Sequence, residues 1–274
     1  MWQSVNRIFD GVTRRRAGRL KQAVSRDEIV AWYQPLVYGQ GKKMAGCEIL
    51  ARWHHPVRGV MGAKRFIPLA ERTGLIVPVT RALMRQAERD LSAVRMWLPE
   101  GFRVNVNLSA AHARSGDFVQ DCLRLKRVLE VCRGEVCAEV TEREAFEKVS
   151  GGPALVNTLR DAGIDVVLDD FGTGCTGLAT LDALRVDGLK LDRRHVLEVP
   201  GSGAVSMAEM IIALAHERGL TVHAEGVETQ AQHVWLLSRG VMWQQGYYFA
   251  PALDAAGFRE VLMCGLHCRD LLSG

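Results

Sequence analysis

From about Trp32 onward, short β-branched and apolar runs alternate with amphipathic stretches along this chain. Strands are predicted over 32–37, 44–53, 103–108, 136–140, 165–168, 188–191, 220–224 and 242–245. Between them, Val79, Leu83, Ala87, Leu91 and Val94 recur at the spacing that lines one face of a helix. Other helical stretches run into Asp161-Ala162-Gly163, Glu217-Arg218-Gly219 and Ser238-Arg239-Gly240, where glycine supplies the usual stop. Eight strands alternating with helices predict an α/β protein, a TIM-like (β/α)8 barrel in a single domain; an open doubly wound sheet is the alternative. Ahead of it, Leu20, Ala23 and Val24 give a helical pattern, and Ser25 with Glu28 has the form of a capping box. The expected division is a basic helical lead-in over 1–25, the barrel over 26–265 and a tail over 266–274.

Length and composition agree with that reading. The 274 residues suffice for one barrel, which takes about 250. Hydrophobic residues make up 48% and charged residues 24%, and the net charge of +4 gives no case for a nucleic-acid polymer as partner. No apolar run reaches the roughly 18 residues a membrane span needs, and no signal-peptide pattern opens the chain. Seven scattered cysteines suit reduced thiols in the cytoplasm better than a disulfide framework. Cys264-Gly-Leu-His267-Cys268 lacks a second half-site and is not read as a zinc clip. Arg14-Arg15-Arg16 reads as a solvated helix start or, more sharply, as a basic segment beside a membrane anchor outside this chain.

The chemistry gathers at the strand ends. Val166-Val167-Leu168-Asp169-Asp170 delivers two carboxylates to the tip of an apolar strand, and Phe171-Gly172-Thr173-Gly174 follows as a loop. Such a strand wastes desolvation energy unless it holds cations. The second strand offers Glu48, Leu50 and Arg52, the third Asn107, and the fourth Glu139 with Glu142 close behind. Lys190 and Asp192 follow on the sixth, Glu225 and Glu228 on the seventh, Gln245 on the eighth. In a barrel these ends converge on one face. The ligands are hard oxygens without His or Cys, which selects Mg²⁺ or Mn²⁺. Two such ions offset the crowded acids and suit phosphodiester hydrolysis. Arg52 would then pair with a phosphate, and Lys190 would act on the attacking water or on developing charge. His54-His55 are expected in a turn before Pro56, and Trp235 and Trp243 as core or interface aromatics.

These segments, in this order, resemble the EAL-domain family of cyclic-di-GMP phosphodiesterases. The resemblance runs through Tyr33-Gln34-Pro35, Glu48-Ile49-Leu50-Ala51-Arg52, Phe66-Ile67-Pro68-Leu69-Ala70-Glu71 and Gly74-Leu75-Ile76. It continues in Asn107-Leu108-Ser109, Glu139-Val140-Thr141-Glu142, the Asp169–Gly174 segment and Lys190-Leu191-Asp192. Ala224-Glu225-Gly226-Val227-Glu228-Thr229 and Gln245-Gly246-Tyr247 complete it. Ile49 stands in place of the signature Ala, on the side of the strand opposite Glu48. Cys175-Thr176-Gly177, His223 and Arg193-Arg194-His195 also depart from the common pattern, and none of these changes removes a ligand.

The resemblance implies an EAL-type barrel with one reversed strand and a Mg²⁺- or Mn²⁺-dependent two-metal site. The implied reaction hydrolyses cyclic di-GMP to linear 5′-pGpG. Glu48, Asn107, Glu139 and Asp169 would hold one metal, with Asp170 and Asp192 serving the second. Lys190, Glu225 and Glu142 would be catalytic, Glu142 by bracing the loop after Asp170. Gln34, Leu50 and Arg52 would face the dinucleotide, with Glu228 and Gln245 in support. The resemblance further implies a cytoplasmic homodimer. The stretch before the barrel is too short for a regulatory domain, so control is expected from a region absent from this chain (membrane-anchored in the sharper reading of the arginines), from a partner or from the substrate level. The reading set against catalysis is a receptor that binds the dinucleotide without cleaving it.

Overall fold

The computed structural model describes residues 2–41, 43–141, 146–172, 177–201 and 205–266. Helix α1 (Trp2–Ser25) leads into β1 (Ile29–Tyr38), β2 (Met44–His55) and the short β3 (Gly59–Gly62). Then come α2 (Ile67–Arg72), α3 (Ile76–Val94), β4 (Arg103–Leu108), α4 (Asp117–Leu129), β5 (Glu135–Thr141) and α5 (Gly152–Asp161). The chain continues through β6 (Asp165–Phe171), α6 (Gly177–Ala183), β7 (Gly188–Leu191), α7 (Arg193–Leu197) and α8 (Met207–Glu217). It finishes with β8 (Thr221–Ala224), α9 (Gln230–Leu237), β9 (Trp243–Gln244) and α10 (Ala255–Cys264).

The sheet runs β1-β9-β8-β7-β6-β5-β4-β2, and β1 pairs with β2 to close it into a barrel. β1 is antiparallel to both its neighbours, while the other barrel strands run parallel. The open-sheet alternative is therefore excluded, and the single reversed strand is present. Strand alternation puts Val104, Val106 and Leu108 outward under the helices, all of them buried in the core. Their neighbours Arg103, Asn105 and Asn107 face the lumen. Arg103 at the closed end reaches Asp165 at 2.9 Å and lies over the Trp243 ring, from strands that β4 does not pair with.

The eight predicted strands are all present, with ends shifted by up to three residues. The hairpin strand β3 is an addition: it pairs only with the end of β2, and His54-His55 belong to β2, ahead of the turn at Pro56. Two readings of the lead-in change. Ser25 ends α1 instead of capping a new helix, and Glu28 accepts two bonds from Arg19, at 2.7 and 2.9 Å. Arg14-Arg15-Arg16 lie inside α1, since no proline interrupts the stretch before them. Leu20 and Ala23 seat that helix in the core. The predicted glycine stops hold: Gly163, Gly219 and Gly240 all take the left-handed conformation just past α5, α8 and α9.

Candidate functional site at the carboxyl ends of the strands

Lys190 is the centre of the barrel mouth. It is 1% exposed, yet it carries a charge, so burial must be offset by partners. Its Nζ lies 2.8 Å from Glu139 Oε2, 3.1 Å from Glu48 Oε2, 3.6 Å from Glu225 and 3.7 Å from Asp169. Glu48 belongs to β2 and Lys190 to β7, strands that do not pair, so the bond crosses the lumen. Glu48 also accepts from Asn107 Nδ2 at 3.0 Å and from Gln245 Nε2 at 2.7 Å. Ile49, next along the strand, turns to the core beneath the helices.

These contacts set the charges. Burial would strip Lys190 of its proton, but Asp169, Glu139, Glu48 and Glu225 hold its pKa well above the usual lysine value. Burial likewise works against ionised Glu48, and there Lys190, Gln245 and Asn107 prevail, keeping its pKa below the usual carboxylate value. For Glu139 and Asp169 burial wins, with Glu48 adding repulsion, and both are raised. Burial pushes Glu225 up to about 7. One lysine cannot neutralise this many carboxylates.

Asp169 and Asp170 are neighbours, and a regular strand would aim them at opposite faces. The register between β6 and β7 shifts between Leu168 and Phe171, and Asp170 takes a φ of 56°. This irregularity brings both carboxylates to the mouth. Asp169 faces Lys190, while Asp170 joins Asp192 and Glu225, their oxygens all within 4.8 Å of one another. Asp192 sits just past β7 and caps α7, accepting from Arg194 N and Nε at 2.8 Å each. Although burial opposes it, Arg194 keeps Asp192 below the usual carboxylate range. Arg193 holds Glu228 at 2.6 and 2.9 Å. Those two arginines, departures from the family pattern, thus brace two of the acids.

The remaining expected residues ring this cluster. Gln34 stands opposite Glu48 in the β1–β2 register. Leu50 and Glu48 line a cavity of about 320 Å³, together with Asn107, Ile67, Pro68 and Thr141. Arg52 is half-buried over the Trp32 ring, 5.2 Å from its centroid, with one N–H on Ala51 O at 2.9 Å. Gln245, expected among substrate contacts, is buried against Glu48. Gly246 lets it get there, because a Cβ at that glycine would meet Val227 O at 2.2 Å. Glu142, Thr173-Gly174, Cys175-Thr176, His267 and Cys268 lie outside the described residues.

One participant escaped the sequence reading. Asn105 is fully buried and donates to Glu139 Oε1 at 2.6 Å. The available signal was its place two residues before Asn107, on the same face of β4.

The acid set fits divalent cations: oxygen donors only, two groups of carboxylates, and a buried ammonium standing among one of them. The EAL domain family model matches residues 17–252. The probable cyclic di-GMP phosphodiesterase PdeG of Escherichia coli K12 is 39% identical over 231 residues, covering 84% of this chain and 46% of PdeG. The cyclic di-GMP phosphodiesterase PdeL of the same organism is 36% identical, covering 86% of this chain and 66% of PdeL. The chain therefore spans about half to two thirds of these relatives. Among solved structures, the PaMucR phosphodiesterase in complex with c-di-GMP superposes with a TM-score of 0.72 at 30% identity, covering 89% of this chain and 99% of that one. Since the match takes in every described strand from the reversed β1 to β9, this chain belongs to the EAL domain family.

Proposed function

We propose that this chain hydrolyses cyclic di-GMP to linear 5′-pGpG with the help of Mg²⁺ or Mn²⁺. The observation that carries the reading is Lys190, buried within 3.7 Å of four carboxylates, one of which, Glu225, also belongs to the close trio with Asp170 and Asp192. Relatives named as cyclic di-GMP phosphodiesterases support the substrate. In this reading Glu48, Asn107, Glu139 and Asp169 hold one cation, and Asp170 and Asp192 the second. Bound there, divalent ions supply Lewis-acid activation of water and neutralise charge on the phosphoryl group.

The chain's own residues do the rest. Lys190 keeps Glu48 ionised and presents a fixed ammonium where charge develops. Glu225, titrating at about 7 beside that ammonium, is suited to take a proton from water. Arg52 offers its guanidinium to a phosphate, and the cavity at Leu50 receives a base. Gln34, opposite Glu48 on β1, is assigned to the dinucleotide, Gln245 orients Glu48, and Glu228 stiffens the rim through Arg193. Glu142 is assigned the bracing of the loop after Asp170.

A cytoplasmic homodimer under the control of a region outside this chain, membrane-anchored or otherwise, completes the reading. Exposed Leu178 on α6 and Met207 and Met210 on α8 support the dimer. No helix among the described residues is long and apolar enough to cross a membrane, and the described cysteines are free thiols.

Incubating the purified chain with cyclic di-GMP, with and without Mg²⁺ or Mn²⁺, tests the reading by chromatography of the products. Metal-dependent 5′-pGpG that disappears in Glu48→Ala is the expected result. Tight binding without product moves the chain to the receptor class.

A further inference from the structure

A groove of about 510 Å³ lies on the other side of α2 from the substrate cavity, between α1, the β2–β3 hairpin and α2. From α1 it is lined by Arg15, Arg16 and Arg19. Arg58 of the hairpin turn and Lys64, Arg65 and Arg72 around α2 line it from the facing side. No carboxylate is among its described lining residues. Seven cations in one concavity outnumber the net charge of +4 for the whole chain.

Counter-charge is scarce there. Arg19 is held by Glu28, at 2.7 and 2.9 Å, and stacks 5.7 Å from the Trp53 ring. Trp53 Nε1 donates to the same carboxylate at 3.0 Å, so that one acid is fully engaged. Arg15, Arg16, Arg58, Lys64, Arg65 and Arg72 have no ion pair among the described residues. Arg19 Nη1 is buried without a hydrogen-bond partner, a donor left over in the groove wall. Like charges gathered around one concavity repel one another. A buried, unmatched guanidinium N–H adds the cost of a donor taken from water without a partner. Several phosphates on one compact ligand relieve both terms, and guanidinium forks fit them in pairs.

We propose that this groove binds a compact polyphosphorylated anion, in a site separate from the cyclic dinucleotide cavity. The separation is one helix thick, since Lys64 and Pro68 line both spaces. Filling the groove therefore fixes α2, which is also a wall of the cavity at Glu48 and Leu50. Any effect on turnover rests on the proposed hydrolase activity; the binding itself does not.

The test is calorimetry on the intact chain in EDTA at about 0.15 M salt, with inorganic tripolyphosphate as probe and vesicles with and without phosphatidylglycerol as a second arm. Saturable tripolyphosphate binding is expected, weakened at least about tenfold by Arg16→Gln with Arg65→Gln and unchanged by Arg127→Gln on α4. Saturating cyclic di-GMP should not displace the probe. Binding to phosphatidylglycerol vesicles alone, lost in the same double variant, overturns the compact ligand and assigns the groove to an anionic lipid surface. No binding in either arm overturns the proposal. So does binding that the double variant leaves intact, or that cyclic di-GMP displaces. The readout is independent of turnover, so an inactive but anion-binding chain separates the two proposals.

Discussion

Asn105 Nδ2 lies 2.6 Å from Glu139 Oε1, and the other oxygen of that carboxylate takes Lys190 at 2.8 Å. Glu139 is thus pinned from both sides at the floor of the mouth, with no exposed surface of its own. A fixed carboxylate holds a cation without having to reorganise. Asn105→Leu removes the donor below and leaves every other acid in place. The expected outcome is a soluble barrel whose Mg²⁺ affinity and kcat fall about 10- to 100-fold, as outer-shell changes do. Metal titration with circular dichroism checks it; unchanged metal affinity in a folded variant would mean that Lys190 alone positions Glu139.

Lys190 bears on stability as well as on the proposed chemistry. Replacing it with methionine leaves Glu48 and Glu139 buried, at 4% and 0% exposure, without their cation. Metal-free Lys190→Met should lose about 3–5 kcal/mol in chemical denaturation, the cost of stranding a buried charge. Adding Mg²⁺ should restore part of that loss, while turnover falls far more than cyclic di-GMP affinity does. Equal losses of turnover and of cyclic di-GMP affinity would instead make Lys190 a binding residue.

How much of this was readable in the chain depends on distance along it. Strands and glycine stops follow local patterns, and those predictions met the fold to within a few residues. The strand-end acids were legible because period two and parallel order send them to one pole, as with Glu48 and Lys190, 142 positions apart. Local irregularity was not legible. Nothing in Asp169-Asp170 announces a register shift, and the capping-box form of Ser25 and Glu28 failed because Glu28 is claimed by Arg19 and Trp53. The basic groove was hidden for a similar reason: its arginines come from three separate stretches that only folding assembles.

Asp170 carries a conformational cost as well as its proposed role at the metal. Its φ of 56° lies in the left-handed region, which Asn and Asp tolerate better than branched residues do. Asp170→Asn should fold with nearly unchanged stability and lose the metal bound at the Asp170, Asp192 and Glu225 trio. Asp170→Val should lose the metal and also about 1–3 kcal/mol of stability. Thermal denaturation of the two variants side by side separates the roles. Equal stability would show that the backbone at this position relaxes once the carboxylate is gone.

The titration of Glu225 predicts how metal binding responds to pH. A carboxyl whose pKa is about 7 in the metal-free protein is largely protonated at pH 6 and ionised at pH 8. A cation held at Asp170 and Asp192 favours the ionised form of Glu225 beside it, so binding there should tighten as pH rises through 7 and level off above it. Calorimetry in buffers of different ionisation enthalpy should show about one proton released per ion near pH 6. Glu225→Gln should bind less tightly at pH 8 and lose the proton release. Release that persists in this variant would point to Asp169 or Glu139 as its source.

Acid stability has a separate origin, away from the mouth. His112 is 2% exposed, and burial pushes its pKa down to about 4, against 6.5 for a free imidazole, despite a bond to the Ser109 backbone. Between those values the unfolded chain binds the proton and the folded chain does not. Stability from this group is therefore complete above pH 6.5 and declines as pH falls toward 4. At pH 5 the loss should be about 2 kcal/mol, and near pH 4 about 3 kcal/mol. Buried His223, also held well below the ordinary value by burial and by Arg103, adds in the same direction. Urea denaturation of wild type and His112→Asn at pH 7.5 and pH 5 isolates the first contribution. The variant should start less stable, because its fit against Ser109 and Phe118 is disturbed, yet lose about 2 kcal/mol less on acidification. If both proteins decline in parallel, the acid sensitivity belongs to His223 and the carboxylate cluster instead.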